Sequence, residues 1–159
     1  MVPASLGCFL VIESREHAVS RGAISHAHIA AIASDRCRRA KGEAFANAMR
    51  QYEAMQAHID PAATAVISGA TGVAAPTAEE REFLGTLRLP VRASGTGLGH
   101  SMEPSFPANL ALAAIAVSRG RIFGTLEPEE EPMARPLRSV LVTGWGHWRG
   151  EGMAVVEAG

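Results

Sequence analysis

The sequence predicts an α/β fold in which a mixed β-sheet carries helices on both faces and ends in a β-hairpin. Apolar runs of strand length alternate with helical patterns along the chain. One helical segment, residues 108–117, is apolar on nearly every side, which is typical of a helix buried between layers. Two strand-like runs near the end are joined by a glycine-rich turn, which favours a hairpin.

The composition is that of one globular domain, which we place over residues 1–159. Apolar residues make up 47% of the chain, and the net charge of −1 gives no basic field for nucleic acid or an anionic membrane. No apolar run reaches the ~20 residues of a membrane span, and the first residues lack the charged start of a signal peptide. We therefore expect a cytoplasmic protein. Cys8 and Cys37 lack CxxC spacing and are expected to be free thiols.

The first quarter of the chain predicts two strands around a short helix. Residues 6–13 are continuously apolar, which indicates a strand covered on both faces. A short helix follows, with Ser14 as its cap and Gly22 as its stop. Residues 24–33 predict the second strand.

Two histidines, His26 and His28, fall two apart on that second strand and therefore on one face. A metal pair needs a third ligand of suitable spacing, which the neighbouring sequence lacks, so we interpret them as solvated and expect no metal site.

The next segment predicts a polar connector and an amphipathic helix. Residues 35–41 are basic and are interpreted as a solvated loop, with contact to an acidic carrier protein as the alternative. Residues 42–59 predict a helix that ends at Asp60-Pro61. Its apolar stripe should face the core, and consists of Phe45, Ala48, Met49, Tyr52 and Met55.

Residues 63–68 predict a strand, and a loop and a helix follow it. Thr77 and Glu80 have the spacing of a capping box at the start of that helix. The loop, residues 69–73, superficially matches a dinucleotide-binding turn. Pro76 interrupts where a third glycine should open the helix, so we expect no nucleotide cofactor.

A histidine stands at the mouth of the apolar helix. A short strand around Val91 and Ala93 leads into a glycine-rich turn at residues 95–99, and His100 follows directly. Glycines there permit positive φ and close backbone approach. The pattern sets one imidazole at the entrance to the buried helix.

The last part of the chain predicts a loop and the closing hairpin. Residues 127–136 are acidic and proline-rich, which favours a solvated loop. Residues 138–143 and 153–157 predict the two strands of the hairpin. Trp145 and Trp148 lie in the turn between them, where packing is one of two roles left open.

Three stretches resemble the β-ketoacyl-acyl-carrier-protein synthases, the condensing enzymes of the thiolase fold. Residues 7–23 match that family's Gly-x-x-x-Leu-Val-Leu-Glu strand and its Glu-His-Ala and Arg-Gly-Ala helix. Residues 95–100 match its Lys-Ser-x-x-Gly-His motif ahead of the central buried helix. The closing hairpin matches the strands around its Asn-Ser-Phe-Gly-Phe-Gly-Gly loop. The resemblance covers only the C-terminal half of such an enzyme and implies a thiolase-like half-fold.

The resemblance assigns roles to particular residues. It implies acyl transfer to a cysteine, decarboxylation of a malonyl thioester and carbon–carbon bond formation in fatty-acid biosynthesis. His100 matches the second active-site histidine and is the candidate catalytic residue. Gly69 stands where the first histidine is expected, and Gly95 where the lysine is expected. Neither cysteine has the setting of the nucleophile, which the family carries in its other half.

The same resemblance implies a gating loop and partners. Trp145, Gly146 and His147 match the loop that gates the acyl pocket. Acyl carrier protein is the implied partner, and no cofactor is implied. A structural histidine that caps a turn is the alternative interpretation of His100.

Two functions follow as hypotheses. In the first, the chain is the C-terminal domain of a synthase, inactive alone and active only with an N-terminal half in trans. In the second, it is a non-catalytic module like the chain-length factors, which pair with an active synthase. Both leave an apolar face uncovered, so we expect a homodimer with stacked inner helices, or a complex with a synthase or its N-terminal half.

Overall fold

The computed structural model describes residues 1–38, 40–146 and 150–159. Elements alternate along the chain as the sequence predicted, except that the predicted first strand is missing. The helices are α1 (Arg15–Ser20), α2 (Glu43–Met55), α3 (Ala74–Leu87), α4 (Ser94–Leu98) and α5 (Ser105–Ser118), with a 3₁₀ turn at Gln56–His58. The strands are β1 (Ala27–Asp35), β2 (Thr64–Ile67), β3 (Val91–Arg92), β4 (Ser139–Trp145) and β5 (Glu151–Ala158).

The strands form one mixed sheet in the order β1-β5-β4-β2-β3. The β4 and β5 strands pair antiparallel as the predicted hairpin, and β1 pairs antiparallel with β5. The β2 strand lies parallel to both β4 and β3. The predicted mixed sheet with a final hairpin is therefore confirmed.

Helices cover both faces of the sheet, as predicted. The α2 and α3 helices pack on one face, where Phe83, Leu141 and Val155 are buried. The predicted stripe of α2 lies in this cluster, with Ala48 and Met55 buried and its other members partly buried. The α5 helix packs on the other face, where Val142 and Val156 are buried. The central strands are apolar on both faces because both faces are covered.

The apolar helix α5 is covered on one side only. Ala113, Ala116 and Val117 are buried against the sheet. On the opposite side Ala111 is partly buried and Ile115 is 48% exposed. We call this outer side, Ala111 and Ile115, the α5 outer face. The segment is thus an inner layer on one side and an uncovered apolar surface on the other.

The strand predicted for residues 6–13 is wrong. The segment belongs to no strand, and Phe9, Val11 and Ile12 are exposed. Strands buried on both faces need neighbours on their hydrogen-bonding edges, and none lies beside this segment in the described chain. The helix predicted after it is present as α1, with Ser14 accepting a hydrogen bond from the His17 backbone N–H at 3.2 Å.

Two local predictions about the start of helices are also wrong. The α3 helix begins at Ala74, so Thr77 lies inside it, and its buried hydroxyl has no hydrogen-bond partner in the described residues. Pro76 sits in the first turn, where its missing N–H leaves no bond unmade. The glycine-rich turn at residues 95–99 is largely a short helix, α4, which ends at Gly99 with a φ of 73°.

The acidic loop at residues 127–136 is anchored rather than fully solvated. Glu130 accepts hydrogen bonds from the backbone N–H groups of Ala93 at 2.6 Å and Leu126 at 2.7 Å. The buried Arg92 donates to the carbonyls of Phe123 and Glu131 at 2.9 and 3.0 Å. The loop therefore covers the outer edge of β3. No helix in the described residues is both long and apolar enough to cross a bilayer.

Candidate functional site

His100 is held by its backbone against the first residues of the chain. Its N–H donates to the Val2 carbonyl at 2.8 Å, and its carbonyl accepts from the Ala4 N–H at 3.0 Å. Gly99 precedes it with positive φ, and a Cβ there would lie 2.8 Å from the Ala4 Cβ. Only glycine fits this turn, as the sequence predicted for the approach to the histidine.

The imidazole of His100 lies beside the start of α5. The Ser105 Oγ is 3.4 Å from its Nδ1 atom. The same oxygen accepts from the Ser101 N–H at 2.9 Å and donates to the Ser101 carbonyl at 2.5 Å. Because the hydroxyl proton is committed to that carbonyl, Ser105 orders the first turn of α5 rather than acting as a nucleophile.

A small cavity brings together the three positions that the resemblance singled out. Gly69 follows β2, Gly95 lies in α4 and His100 follows α4, and all three line this cavity. Ser68 and Asn109 close it from below. These three positions, which the resemblance assigns to one site, therefore line one cavity at the mouth of α5.

The two glycines leave no room for side chains. A Cβ on Gly69 would lie 2.5 Å from the Thr143 carbonyl oxygen and 2.9 Å from the Gly144 Cα. A Cβ on Gly95 would lie 2.9 Å from the Ala70 carbonyl oxygen. The obstacles are backbone atoms, which a side-chain rotation cannot move. The backbone has therefore closed over both positions where the resemblance expects a histidine and a lysine.

A buried carboxyl group holds this closed arrangement together. One oxygen of Glu80 accepts from the Thr143 hydroxyl at 2.5 Å and the Gly69 N–H at 3.0 Å. The other oxygen accepts from the Ser68 hydroxyl at 3.1 Å. Burial raises the pKa of Glu80 above its usual value, and the three hydrogen bonds oppose that rise without cancelling it. Sequence reasoning missed this role because Glu80 fitted a helix cap.

A second buried polar group ties α5 to the same point. The Asn109 amide donates to the Ser68 carbonyl at 3.2 Å, and its oxygen accepts from the Ser94 hydroxyl at 2.6 Å. It stands near the start of a helix that otherwise carries apolar residues toward the sheet. A lone asparagine before an apolar run was the only sequence signal for this link.

An open cleft of about 500 Å³ lies next to the small cavity. The residues that line it include His100, Phe106, Ile32, Trp145 and Gly146. Most of Trp145 belongs to the core, since it is buried and its ring lies 5.9 Å from the ring of Phe83. His147 and Trp148 lie outside the described residues, so the predicted gating role of this loop stays a prediction.

The remaining candidate groups do not assemble into a reactive centre. Both cysteines are free thiols, as predicted, and the buried Cys37 donates to a Glu151 oxygen at 3.1 Å. His28 contacts Glu157 at 3.1 Å. The described residues contain no group of three side chains suited to hold a metal ion. What the site offers chemically is one imidazole beside the start of an apolar helix.

Gly69→Ala is expected to lower the free energy of unfolding by about 3 kcal/mol or more, because the methyl group overlaps the Thr143 carbonyl oxygen. Urea denaturation measures the change. The control is Gly85→Ala inside α3, where the new Cβ has nothing within 4 Å. That variant should be as stable as the parent or slightly more so, because alanine favours helix. Equal stability of the two variants would contradict the closed backbone.

The contribution of Glu80 to the stability of the fold is expected to fall as pH rises above 4.5. Its folded pKa is raised, so the folded state holds the proton that the unfolded state releases, and the contribution is lost as pH passes the folded pKa. Glu80→Gln keeps a neutral group there and should reduce this slope. The exposed Glu82→Gln in the same helix serves as the control. Urea midpoints measured from pH 4.5 to about pH 8 give the slopes, and parallel slopes for parent and Glu80→Gln would refute the assignment.

The chain matches no protein-family model and no curated protein by sequence. Its fold does match solved structures. The ishigamide ketosynthase/chain length factor has a TM-score of 0.71 and 16% identity, over 92% of this chain and 41% of that one. The ketosynthase of a type II polyketide synthase in complex with its acyl-carrier protein, AntDE:AntF, has a TM-score of 0.66 and 19% identity, over 92% of this chain and 42% of that one.

A β-ketoacyl synthase of Burkholderia phymatum STM815 is similar to the same extent, with a TM-score of 0.66 and 16% identity over 92% and 41% of the two chains. The chain spans less than half of the length of each of these structures. The small matched share agrees with the resemblance to one half of a condensing enzyme. The chain therefore has the mixed α/β fold of the ketosynthases over part of their length.

Proposed function

We propose that this chain is a condensing-enzyme-like module that does not catalyse condensation by itself. The main observation behind the proposal is that backbone oxygens block any side chain at Gly69 and Gly95. A Cβ added at these positions would lie 2.5 Å and 2.9 Å, respectively, from a carbonyl oxygen. A histidine or a lysine cannot be accommodated there without a shift of the sheet end. The carbonyl-polarising pair of the family is thereby reduced to His100.

The chemistry of condensation supports the same proposal. The reaction needs a nucleophile and donors that polarise the thioester carbonyl, and loss of one such donor typically costs ~10²–10³ in rate. Cys37 is buried and hydrogen-bonded to Glu151, and neither Cys37 nor Cys8 is among the residues that line the small cavity or the cleft. An acyl group therefore has no thiol beside His100 to which it can be transferred.

The uncovered apolar surface supports a role in pairing. The α5 outer face, Ala111 and Ile115, is apolar, and Ile115 is 48% exposed. Large exposed apolar patches mark interaction sites. A condensing-enzyme partner suits this face, either an N-terminal half that supplies the nucleophile or a complete synthase. A chain-length-factor-like module is the second candidate, and one of the structural neighbours bears that description.

The structural neighbours also support a proposal about the substrate class. We propose acyl and malonyl thioesters of acyl carrier protein as the ligands of the complex, in fatty-acid or polyketide synthesis. One neighbour was solved with its acyl-carrier protein, which supports this choice of carrier.

The isolated chain is expected to release no more CO₂ from malonyl-acyl-carrier protein than a protein-free blank, and to form no condensation product with acyl-carrier protein substrates. His100→Ala should leave this result unchanged. Mass spectrometry of the carrier protein reports both reactions. Turnover by the parent chain that His100→Ala abolishes would overturn the proposal.

Affinity-tagged chain is expected to retain a ketosynthase-type protein from its native cells, because the α5 outer face needs an apolar cover. Ile115→Glu places a charge on that face and should abolish the capture. Leu126→Glu, at a residue 40% exposed beside 48% for Ile115, is the matched control and should capture as the parent does. Mass spectrometry identifies the captured protein. Equal capture by both variants, or no ketosynthase-type protein at all, would count against the pairing role.

A further inference from the structure

We propose that the chain self-associates by reciprocal strand exchange. Residues 7–13, which we call the arm, add as a strand to the free edge of β1 in a second copy, and the arm of that copy adds to β1 of the first. This inference rests on the pairing role proposed above, because self-association is one form of that pairing. Stacking of two α5 outer faces is the competing arrangement.

The arm is an apolar segment without a place in the monomer. Phe9 is 100% exposed, Val11 is 86% exposed and Ile12 is 69% exposed. Such residues favour strands, and the arm contains no proline or lysine to oppose pairing. Removing their apolar surface from water is favourable by about 25 cal/mol per Å². The arm therefore has both the composition and the driving force for strand addition.

The arm is presented at a defined place rather than as a loose end. Val2 and Ala4 are hydrogen-bonded to His100, and Leu6 lines the small cavity. At its other end the chain enters β1 at Ala27, after α1, in which no residue is buried. Both anchors lie on the folded body, so the arm is held close to that body while Phe9, Val11 and Ile12 contact solvent.

The two edges of the sheet are treated differently by the fold. The β3 edge has only two residues and is covered by the loop that Arg92 binds. The β1 edge has nine residues and contains no lysine, arginine or proline, the residues that usually protect such an edge. It remains without a further strand in the sheet. The free pairing edge of the described chain is thus β1.

A bulge gives the β1 edge an apolar side. The register with β5 shifts between Ile29 and Ala31, so Ile29 pairs with Val156 and Ile32 pairs with Ala154. Val156 and Ala154 both face α5, and Ile29 and Ile32 therefore share that face. Ile32 is 66% exposed. An added strand can cover these side chains while it hydrogen-bonds the edge.

A second copy is the occupant that satisfies both features at once. Each chain carries one unpaired strand-like segment and one unpaired edge. In a two-fold dimer both arms and both β1 edges are paired, so no pairing site remains and the assembly stops at two copies. A one-way addition leaves an arm and an edge free and continues into an open chain.

The test is the mass of the protein in solution at micromolar concentration, by light scattering on a sizing column. The parent chain is expected at twice its 16.7 kDa mass. Val11→Asp in the arm and Ile32→Lys on the edge should each raise the dimer dissociation constant about tenfold or more. Leu126→Asp, at an exposed residue beside the β3 edge at the opposite end of the sheet, is the control and should remain dimeric. Circular dichroism checks that the monomer fold is kept, as expected for side chains that face solvent.

Mixing the two variants separates reciprocal exchange from other contacts. The arm of the Ile32→Lys copy is intact, and so is the edge of the Val11→Asp copy, so the mixture should regain a heterodimer with one good contact. Ile115→Glu should leave the parent dimer intact. A monomeric parent, a dimer that Ile115→Glu rather than Val11→Asp dissociates, or mass that grows without limit with concentration would overturn the proposal. Val11→Asp should still capture a ketosynthase-type partner, because capture depends on the α5 outer face. The capture experiment therefore tests the proposed pairing role independently of strand exchange.

Discussion

The close approach of the ends of β2 and β4 is the constraint on which the rest of the site depends. Gly69 lies so near the Thr143 carbonyl that no side chain fits between them. Glu80 holds the approach from below by hydrogen bonds to both strand ends and to Ser68. The carboxyl group is buried, so its bonds are made in a medium of low polarity where each counts for more than in water. The arrangement replaces side-chain chemistry at this point by backbone packing.

That replacement agrees with the rest of the molecule. His100 keeps a fixed backbone position beside the start of α5, while the groups that the condensing-enzyme resemblance places around it are glycines. The apolar surface is displaced outward, to the α5 outer face, the arm and the edge of β1. Hydrogen bonds of the buried Glu80 and Asn109 fix how the strand ends and α5 pack in the interior. Apolar side chains remain exposed on the surface.

Sequence patterns predicted most elements because their causes are local. The amphipathic stripe of α2, the buried run of β2 and the closing hairpin each follow from side-chain periodicity or turn chemistry within a few residues. The strand predicted at residues 6–13 is wrong because an apolar run favours burial but does not identify the neighbouring strands that would bury it. The prediction that Thr77 caps α3 is wrong because the helix begins at Ala74, ahead of Pro76, and Thr77 therefore lies inside it.

The sequence by itself determined the α/β class, the hairpin, the apolar character of α5 and the glycine-histidine turn, since these depend on residues close together in the chain. Only the tertiary structure decided that Gly69 and Gly95 are closed by distant carbonyl oxygens and that Glu80 bridges two strand ends. It also decided that α5 is covered on one side and that β1 is a free edge. Distances between segments far apart in sequence set these features, and no local pattern records such distances.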